Sequence, residues 1–194
     1  MQIAAQIIGI VVVPLMMLSY QQKTQMRIII FQIVCSTLFA FHYLLLGAMG
    51  AFFVNSIGLV RAFVYARGSR DAWAAHPAWI GVFSALYFVG YFVTLKYTYE
   101  TVDIWIILLE LLPVSAGILA NFAFRMREAR LVKILSAFIS PQWLVYNIAK
   151  LSVGGIINEL LVFTSIIIGL ARDTREKKAN ERAALEKSRA DGGE

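Results

Sequence analysis

The chain has 194 residues, of which 59% are hydrophobic and 15% are charged. Soluble domains carry fewer apolar residues and about a quarter charged residues, so this composition excludes an ordinary water-soluble domain. The net charge of +6 would suit nucleic acid, but the basic residues form short blocks between apolar runs, and no nucleic-acid partner is expected.

Long apolar runs predict an all-α, polytopic membrane protein whose first partner is the lipid bilayer. About 20 apolar residues cross a bilayer as a helix, and these runs are too long for tilted β-strands. The candidate spans follow one another at 3–20, 28–46, 48–66, 77–95, 103–122, 133–150 and 153–171. The first run has neither a basic start nor a small-residue cleavage pattern, which favours a retained helix over a signal peptide.

Short links join several of these spans. Glycine-bearing stretches separate the second span from the third, at 47–50, and the sixth from the seventh, at 151–155. Links of this length predict antiparallel hairpins. The connector from Gly68 to His76 carries Trp73, an aromatic residue typical of the membrane interface.

Basic residues predict the orientation of the chain. Of the 18 lysines and arginines, only Lys96 and Lys150 fall on one side of the predicted spans, and all others fall on the opposite side. The side with more basic residues is expected to be cytoplasmic. With seven spans, the N-terminus then lies outside and the charged C-terminal tail lies in the cytoplasm.

A weak internal repeat relates the two halves at a shift of about 104 residues. It aligns residues 47–51 with residues 151–155, and the helix breaks fall at similar positions. The predicted organisation has four parts: a first three-helix unit at 1–67, a connector and linker helix at 68–98, a second three-helix unit at 99–172 and a cytosolic tail at 173–194. One linker helix gives both units the same orientation, as in parallel-repeat transporters. The tail is expected to be a solvated helix or disordered, with a lipid-binding basic segment as the alternative.

Polar and ionisable side chains inside the spans are the candidate functional residues, because they are costly in lipid. The candidate substrate-binding or proton-binding residues are His42, Asn55, Glu110, Asn147, Asn158 and Glu159. Most fall in the outer half of their spans, and the repeat lays Asn55 on Glu159. This predicts a shared, outward-facing cavity at the interface of the two units. The alternative is that each group forms a hydrogen bond in helix packing.

The charged groups of the spans carry further predictions. The two glutamates are predicted at similar depth, where a proton could be shared because two buried carboxylates do not easily both ionise. Lys150 is expected to extend to the outer surface, with a glutamate partner as the alternative. Arg61 is expected to anchor the cytoplasmic end of the third span. Pro14 and Pro113 would loosen the first helix of each unit, as a kink or a gate.

The sequence lacks the usual enzyme signatures. It contains no zinc-protease motif, nucleophile elbow, phosphate-binding loop or dinucleotide fingerprint. Two histidines and one cysteine do not make a usual zinc site, so no metal and no cofactor are expected. Cys35 is expected to be a packed apolar residue. The chain is not expected to be an enzyme, and intramembrane glutamate chemistry is the remaining alternative.

Several strings, taken in their order and spacing, resemble the YgjV family of bacterial inner membrane proteins. They are His42 to Gly47, Arg61, Glu110 to Pro113, Trp143 to Asn147, Ser152 to Gly155, Glu159 and Arg172. The resemblance covers nearly all of the chain before the tail. It implies a location in the bacterial inner membrane more than it implies an activity.

A more distant likeness is to the SWEET and PQ-loop transporters, which have a three-plus-one-plus-three helix arrangement with the N-terminus outside. In that group an asparagine on the third helix of each unit lines the sugar site. Asn55 matches by position, whereas the second unit has Asn158 and Glu159, and the usual proline-glutamine motif is missing from the first helix of each unit. The likeness therefore implies the fold, and the substrate stays open.

Two functions from different classes remain. The first is a transporter or facilitator that moves an unknown small-molecule substrate through a cavity between the two units. The alternative is a non-transporting membrane protein, either receptor-like or a partner-assembly module, in which the polar groups hold the bundle together. A homo-oligomer is compatible with both.

Overall fold

The computed structural model describes residues 2–20, 25–68, 70–123, 125–126 and 129–191, and their regular secondary structure is helical. The helices are α1 (Gln2–Tyr20), α2 (Gln25–Leu46), α3 (Met49–Arg67), α4 (Ala72–Ala75), α5 (Ala78–Thr98), α6 (Ile104–Ala123), α7 (Ala129–Ala149) and α8 (Val153–Asp191). An all-α fold is therefore confirmed. Each helix except α4 overlaps one predicted span.

Five of the helices are long and apolar enough, within the described residues, to cross a membrane. They are Met49–Arg67, Ala78–Thr98, Ile104–Ala123, Leu131–Ala149 and Val153–Arg175. Within the described residues, the first two helices contribute shorter apolar stretches, Gln2–Leu18 and Ile33–Leu46. A multi-pass membrane protein is thus supported, and the count of seven spans stays a prediction.

Two tight turns define one end of the bundle. Gly47 joins α2 to α3 with a φ of 73°, and Leu151 joins α7 to α8 with a φ of 53°. The start of α1 and the link from α5 to α6 lie at this same end, which we call the hairpin end. We call the opposite end the tail end, because α8 continues there as one helix to Asp191.

Six long helices form a closed ring. Each of α1, α2 and α3 packs on the next, α3 packs on α6, each of α6, α7 and α8 packs on the next, and α8 packs back on α1. The remaining long helix, α5, packs on α3 and α6. Large apolar side chains such as Ile3, Phe92, Trp105 and Ile168 are more than half exposed, as expected for surfaces that face lipid.

The α1 and α8 helices approach each other closely at a pair of glycines. A Cβ atom added to Gly154 would lie 2.2 Å from the carbonyl carbon of Gly9. Small residues allow helix backbones to meet in this way in membranes. At the tail end, Lys133 of α7 forms an ion pair of 2.7 Å with Asp173 of α8, so the tail begins on a fixed part of the bundle.

The helices continue through their internal prolines. Pro14 lies inside α1, Pro113 inside α6 and Pro141 inside α7. A side-chain hydrogen bond from Ser115 to Gln142 joins α6 and α7 beside two of these positions. The prolines thus lie within continuous helices, and their predicted role as kinks or gates stays a prediction.

Candidate functional site

A cavity of about 370 Å³ lies among the helices of the ring. Its polar wall is formed by Ser36, Asn55, Arg61, Ser136, Ser140, Asn158 and Glu159. Its aromatic wall is formed by Phe39, Tyr43, Tyr87 and Trp143. Three of the six predicted site residues, Asn55, Asn158 and Glu159, therefore share one cavity, and the other three do not line it.

The cavity extends toward the tail end of the bundle. At its hairpin-end limit it is lined by Tyr43 and Asn55, and at its other limit by Ala123, the last residue of α6, and Val132, in the first turn of α7. The sequence predicted an outward-facing cavity, and the face to which the cavity opens stays a prediction. Side-chain contacts join the helices at the hairpin end, which helix positions alone do not reveal.

Glu159 is the acidic group of this cavity. Ser140 donates a hydrogen bond of 2.5 Å to its Oε2, and the side-chain amide of Asn158 donates one of 3.2 Å to its Oε1. Both partners are neutral, and Glu159 takes part in none of the ion pairs found within the described residues. A carboxylate can accept about four hydrogen bonds, so these two contacts leave it able to accept more.

Arg61 is the basic group of the same cavity. It is 7% exposed, and its Nη1 donates hydrogen bonds to the hydroxyl of Tyr87 at 3.0 Å and to the carbonyl of Gly117 at 3.2 Å. The sequence predicted an anchor at the cytoplasmic end of the span. That prediction is wrong, because α3 continues to Arg67 and Arg61 is buried among α3, α5 and α6.

Asn55 lies on α3, less than two turns from the start of that helix, and lines the same cavity. Its side-chain amide donates a hydrogen bond of 2.9 Å to the carbonyl of Ala51, one turn earlier in the same helix. This bond occupies one donor of the amide and leaves its carbonyl oxygen unused by that contact. Asn55 is therefore positioned to accept a hydrogen bond within the cavity.

Glu110 belongs to a separate cluster at the hairpin end. Its carboxylate is fully buried and lies 2.8 Å from the ammonium of Lys150. Tyr99 donates a hydrogen bond of 2.6 Å to its Oε1, and Tyr146 donates one of 3.2 Å to its Oε2. The predicted sharing of a proton with Glu159 is therefore wrong, because Lys150 supplies the partner charge. The side chain of Lys150 is only 18% exposed, so its predicted extension to the surface is also wrong.

Two members of this cluster, Lys150 and Tyr99, have pKa values shifted from their ordinary values. Burial lowers the pKa of Lys150, but hydrogen bonds to Glu110 and Tyr99 outweigh burial and raise that pKa above its ordinary value. Burial and the hydrogen bond to Glu110 raise the pKa of Tyr99. Both shifts favour the protonated forms that bind the Glu110 carboxylate.

His42 and Asn147 also join helices at the hairpin end. The Nδ1 of His42 lies 2.6 Å from the carbonyl oxygen of Ala5, and its Nε2 lies 2.7 Å from the hydroxyl of Ser152. Tyr43 donates a hydrogen bond of 2.8 Å to the Oδ1 of Asn147. These contacts match the packing alternative that the sequence left open for both residues.

Sequence reasoning left several residues out of the candidate site. Arg61 lies inside the apolar run 48–66, and the rule that selected the glutamates, an ionisable group within a span, would have selected it too. Ser140 and Trp143 carried no such signal, because serine and tryptophan are common in membrane helices. Only the packing of α7 brings them to the cavity.

Comparison with known protein families gives a match. A model of the family Imp-YgjV, described as a bacterial inner membrane protein, matches residues 3–177. No curated protein and no solved structure matches the chain significantly. The match spans every helix up to the start of the tail, and the likeness to SWEET transporters gains no support from these comparisons.

Proposed function

Since the chain belongs to the YgjV family of bacterial inner membrane proteins, we propose that it is a transporter or facilitator for a small molecule. The observation that carries this proposal is the cavity of about 370 Å³, whose wall includes Glu159, Arg61, Asn55 and Asn158. Its volume falls at the small end of the range for ligand sites. Ionisable groups that face a cavity within a membrane bundle are typical of substrate and ion pathways. In this proposal the chain is not an enzyme and uses no cofactor.

The contacts at the hairpin end support a cavity that is accessible from one side at a time. There the ion pair of Glu110 with Lys150 and the hydrogen bond of His42 with Ser152 join different helices. The cavity lining, in contrast, reaches the tail end. Alternating access needs two states, each closed at one end of the bundle and open at the other. A bundle whose helices are joined at one end, with a cavity that reaches the other, fits one of these states.

The packing pattern supports two equivalent units. Exchanging α1, α2 and α3 for α6, α7 and α8 leaves the ring of helix contacts unchanged. The repeat shift also relates the two positive-φ turn residues, Gly47 and Leu151, and the cavity residues Asn55 and Glu159. In parallel-repeat transporters the units move against each other around a site at their interface. The proposed arrangement is therefore three helices, the linker α5 and three helices.

The proposed orientation has the tail end in the cytoplasm and the N-terminus in the periplasm. Arg67, Arg70, Arg125 and Lys133 belong to the ends of helices and links at the tail end, in keeping with the positive-inside rule. A reporter fused after Glu194 should then be active only as a cytoplasmic marker. Activity as a periplasmic marker would reverse the orientation.

Thiol accessibility tests whether the cavity is a transport path. Cys35 is the single cysteine of the chain, so Cys35→Ala gives a background without thiols. In it, Asn55→Cys and Ser136→Cys place thiols on the cavity wall, and Ser165→Cys places a matched thiol on an exposed part of α8 outside the cavity. A membrane-impermeant thiosulfonate is then applied to each face of sealed vesicles.

For a transporter, Asn55→Cys should react from both faces, because the cavity opens to each side in turn, whereas Ser165→Cys should stay unreactive in lipid. Reaction from the cytoplasmic face alone would favour the receptor-like alternative. No reaction at either cavity position would show a dry bundle, which overturns the transport proposal and favours the non-transporting alternative, in which the polar groups hold the bundle together.

A further inference from the structure

Resting on the proposed transport function, we propose that the cavity binds a small organic cation, an amine with a neutral hydrogen-bonding group at its other end. Its ammonium group contacts Glu159, and its neutral group, such as a hydroxyl, contacts Asn55. The observation that carries this inference is a layer of cavity residues at one depth, in which a carboxylate and an amide occupy equivalent positions of the two units and aromatic rings complete the wall.

Four cavity residues form this layer, one from each of α2, α3, α7 and α8. They are Phe39, Asn55, Trp143 and Glu159, and each lies six or seven residues from the hairpin end of its helix. At the rise of an α-helix, this places all four roughly 9–11 Å from that end. A ligand that contacts Asn55 and Glu159 together therefore lies across the bundle.

The two sides of the layer are equivalent in the repeat but differ in charge. The repeat shift aligns Asn55 with Glu159, Phe39 with Trp143 and Ser36 with Ser140, and all six residues line the cavity. In a parallel repeat, such residues lie around the axis that relates the two units. Only the second unit supplies an acid to the layer, so the ligand is expected to have one charged end and one neutral end.

The Glu159 side suits an ammonium group. Its carboxylate accepts hydrogen bonds from the neutral donors Ser140 and Asn158, which leaves capacity for further donors. Among the residues that the structure describes, it takes part in none of the ion pairs. A carboxylate inside a membrane bundle needs a positive partner, a proton or water. An ammonium group supplies both a positive charge and N–H donors.

Aromatic rings form the wall beside this carboxylate. Tyr43 stacks on Trp143 with ring centroids 5.9 Å apart and on Phe39 with ring centroids 5.8 Å apart. The three rings thus form a continuous surface from α2 to α7, and all three line the cavity. Aromatic rings bury apolar groups and attract cations, more strongly so when water is excluded. This surface favours an organic cation over a hydrated inorganic one.

The Asn55 side suits a neutral donor. The side-chain amide of Asn55 already donates to the carbonyl of Ala51 at 2.9 Å, and its Oδ1 remains as an acceptor. A ligand hydroxyl can donate to this oxygen without bringing a second charge into the cavity. A hydrogen bond of this kind adds selectivity, because a ligand without the hydroxyl leaves the amide oxygen unpaired.

Arg61 lies outside this layer, and the proposal does not depend on its contacts. It is six residues farther along α3 than Asn55, a rise of about 9 Å toward the tail end. Its Nη1 is bonded to Tyr87 of α5 and Gly117 of α6, whereas Glu159 lies on α8, which packs on α7 and α1. Since the Coulomb energy falls with distance, the attraction of an ammonium group to Glu159 at contact exceeds its repulsion from Arg61.

Matched ligand sets test the proposal on the purified full-length protein, in one detergent at about pH 7 and at equal ionic strength. The first set is tyramine, its neutral analogue 4-(2-hydroxyethyl)phenol, its acidic analogue 4-hydroxyphenylacetate, and phenethylamine, which lacks the hydroxyl. The second set is 6-amino-1-hexanol, 1,6-hexanediol, 6-hydroxyhexanoate and hexylamine. A ligand that binds the folded state raises the melting temperature with concentration, which gives an apparent Kd for each compound.

We expect at least one hydroxylated amine to bind about 10-fold to 100-fold more tightly than its neutral and acidic analogues, as loss of a charge-assisted contact implies. It should bind about 3-fold to 10-fold more tightly than the amine that lacks the hydroxyl. If a neutral or acidic analogue binds as tightly as its amine, or if no compound of either set binds, the proposal is overturned. The thiol accessibility result does not depend on these ligands, so failure of the substrate class is distinguishable from failure of the transport proposal.

Two variants assign the ends of the ligand. Glu159→Gln should weaken binding of the hydroxylated amine about 10-fold or more and leave binding of its neutral analogue unreduced. Glu100→Gln is the matched control, because Glu100 is an exposed glutamate outside the cavity, and it should leave both affinities unchanged. Asn55→Leu should reduce the affinity for the hydroxylated amine to that for the simple amine. If Glu159→Gln keeps the wild-type preference for the amine over its neutral analogue, the proposal is overturned.

Discussion

The buried ion pair of Glu110 and Lys150 predicts a large and asymmetric loss of stability when one partner is removed. In Lys150→Met the apolar stem remains and the ammonium 2.8 Å from the carboxylate is lost. Because Glu110 is fully buried, its charge is left without compensation, a change that costs about 3–5 kcal/mol. The hydroxyls of Tyr99 and Tyr146 still donate to the carboxylate, so we expect the lower end, about 3 kcal/mol.

For a chain of this size, 1 kcal/mol corresponds to about 2–4 °C in melting temperature, so Lys150→Met should melt roughly 6–12 °C below the wild type. The measurement is the temperature at which half of the protein remains monodisperse in one detergent. Lys96→Met is the control, because Lys96 is an exposed lysine at the same end of the bundle. It should melt within about 2 °C of the wild type.

A double-mutant cycle separates the pair from the individual side chains. Glu110→Gln removes the carboxylate charge, so adding it to Lys150→Met should recover part of the lost stability. The double variant should then be no less stable than Lys150→Met. Two results would refute this reasoning: the losses of stability of the two single variants simply add, or Lys150→Met melts at the same temperature as the wild type. Either result would mean that the ion pair does not exist in the membrane-extracted protein.

Three further predictions follow from the turns and contacts of the hairpin end, each measured by the same thermal assay. Gly154→Ala should lower the melting temperature by roughly 4 °C or more, since its Cβ would lie 2.2–2.5 Å from the α1 backbone and overpacking costs about 1–3 kcal/mol. Gly81→Ala is the control and should not lower the melting temperature, because the added Cβ would lie in open space. If both variants lowered the melting temperature equally, the close contact of Gly154 with α1 would be contradicted. Leu151→Gly should stabilise the protein by about 1 kcal/mol, because a φ of 53° is strained for any residue with a side chain; a loss would mean that the exposed leucine makes a stabilising contact. Above about pH 10 the free energy of unfolding should fall. The pKa values of Tyr99 and Lys150 are raised in the folded protein, so the unfolded chain releases these protons first as the pH rises. Lys150→Met should lose part of this pH dependence.

Much of the helical organisation could be predicted from sequence, because the bilayer leaves the backbone few choices. Apolar runs near 20 residues must be helices to satisfy their own hydrogen bonds, and the links at Gly47 and Leu151 are too short for anything but hairpins. The family resemblance was predicted from ordered strings and is confirmed by the match over residues 3–177. The partition into two units and a tail stays a prediction.

The rotation of each helix about its axis could not be predicted in the same way. In water, the apolar face of a helix identifies the core, but in lipid both the core and the outside are apolar. Residue counting therefore gave Glu110 and Glu159 a similar depth without showing which neighbours each one faces. In the structure, Glu110 forms an ion pair with Lys150, whereas Glu159 lines the cavity.

This separation gives the two glutamates different chemistry despite their similar depth. A carboxylate with a lysine at 2.8 Å and two tyrosine hydroxyls has its charge and lone pairs largely satisfied by the protein, so its removal should change stability more than ligand binding. A carboxylate held only by a serine and an asparagine on a cavity wall still has capacity for a further donor, so its removal should change ligand binding more than stability. Comparing both effects for Glu110→Gln and Glu159→Gln, with any ligand that raises the melting temperature of the wild type, thus distinguishes a transport site from a set of packing groups.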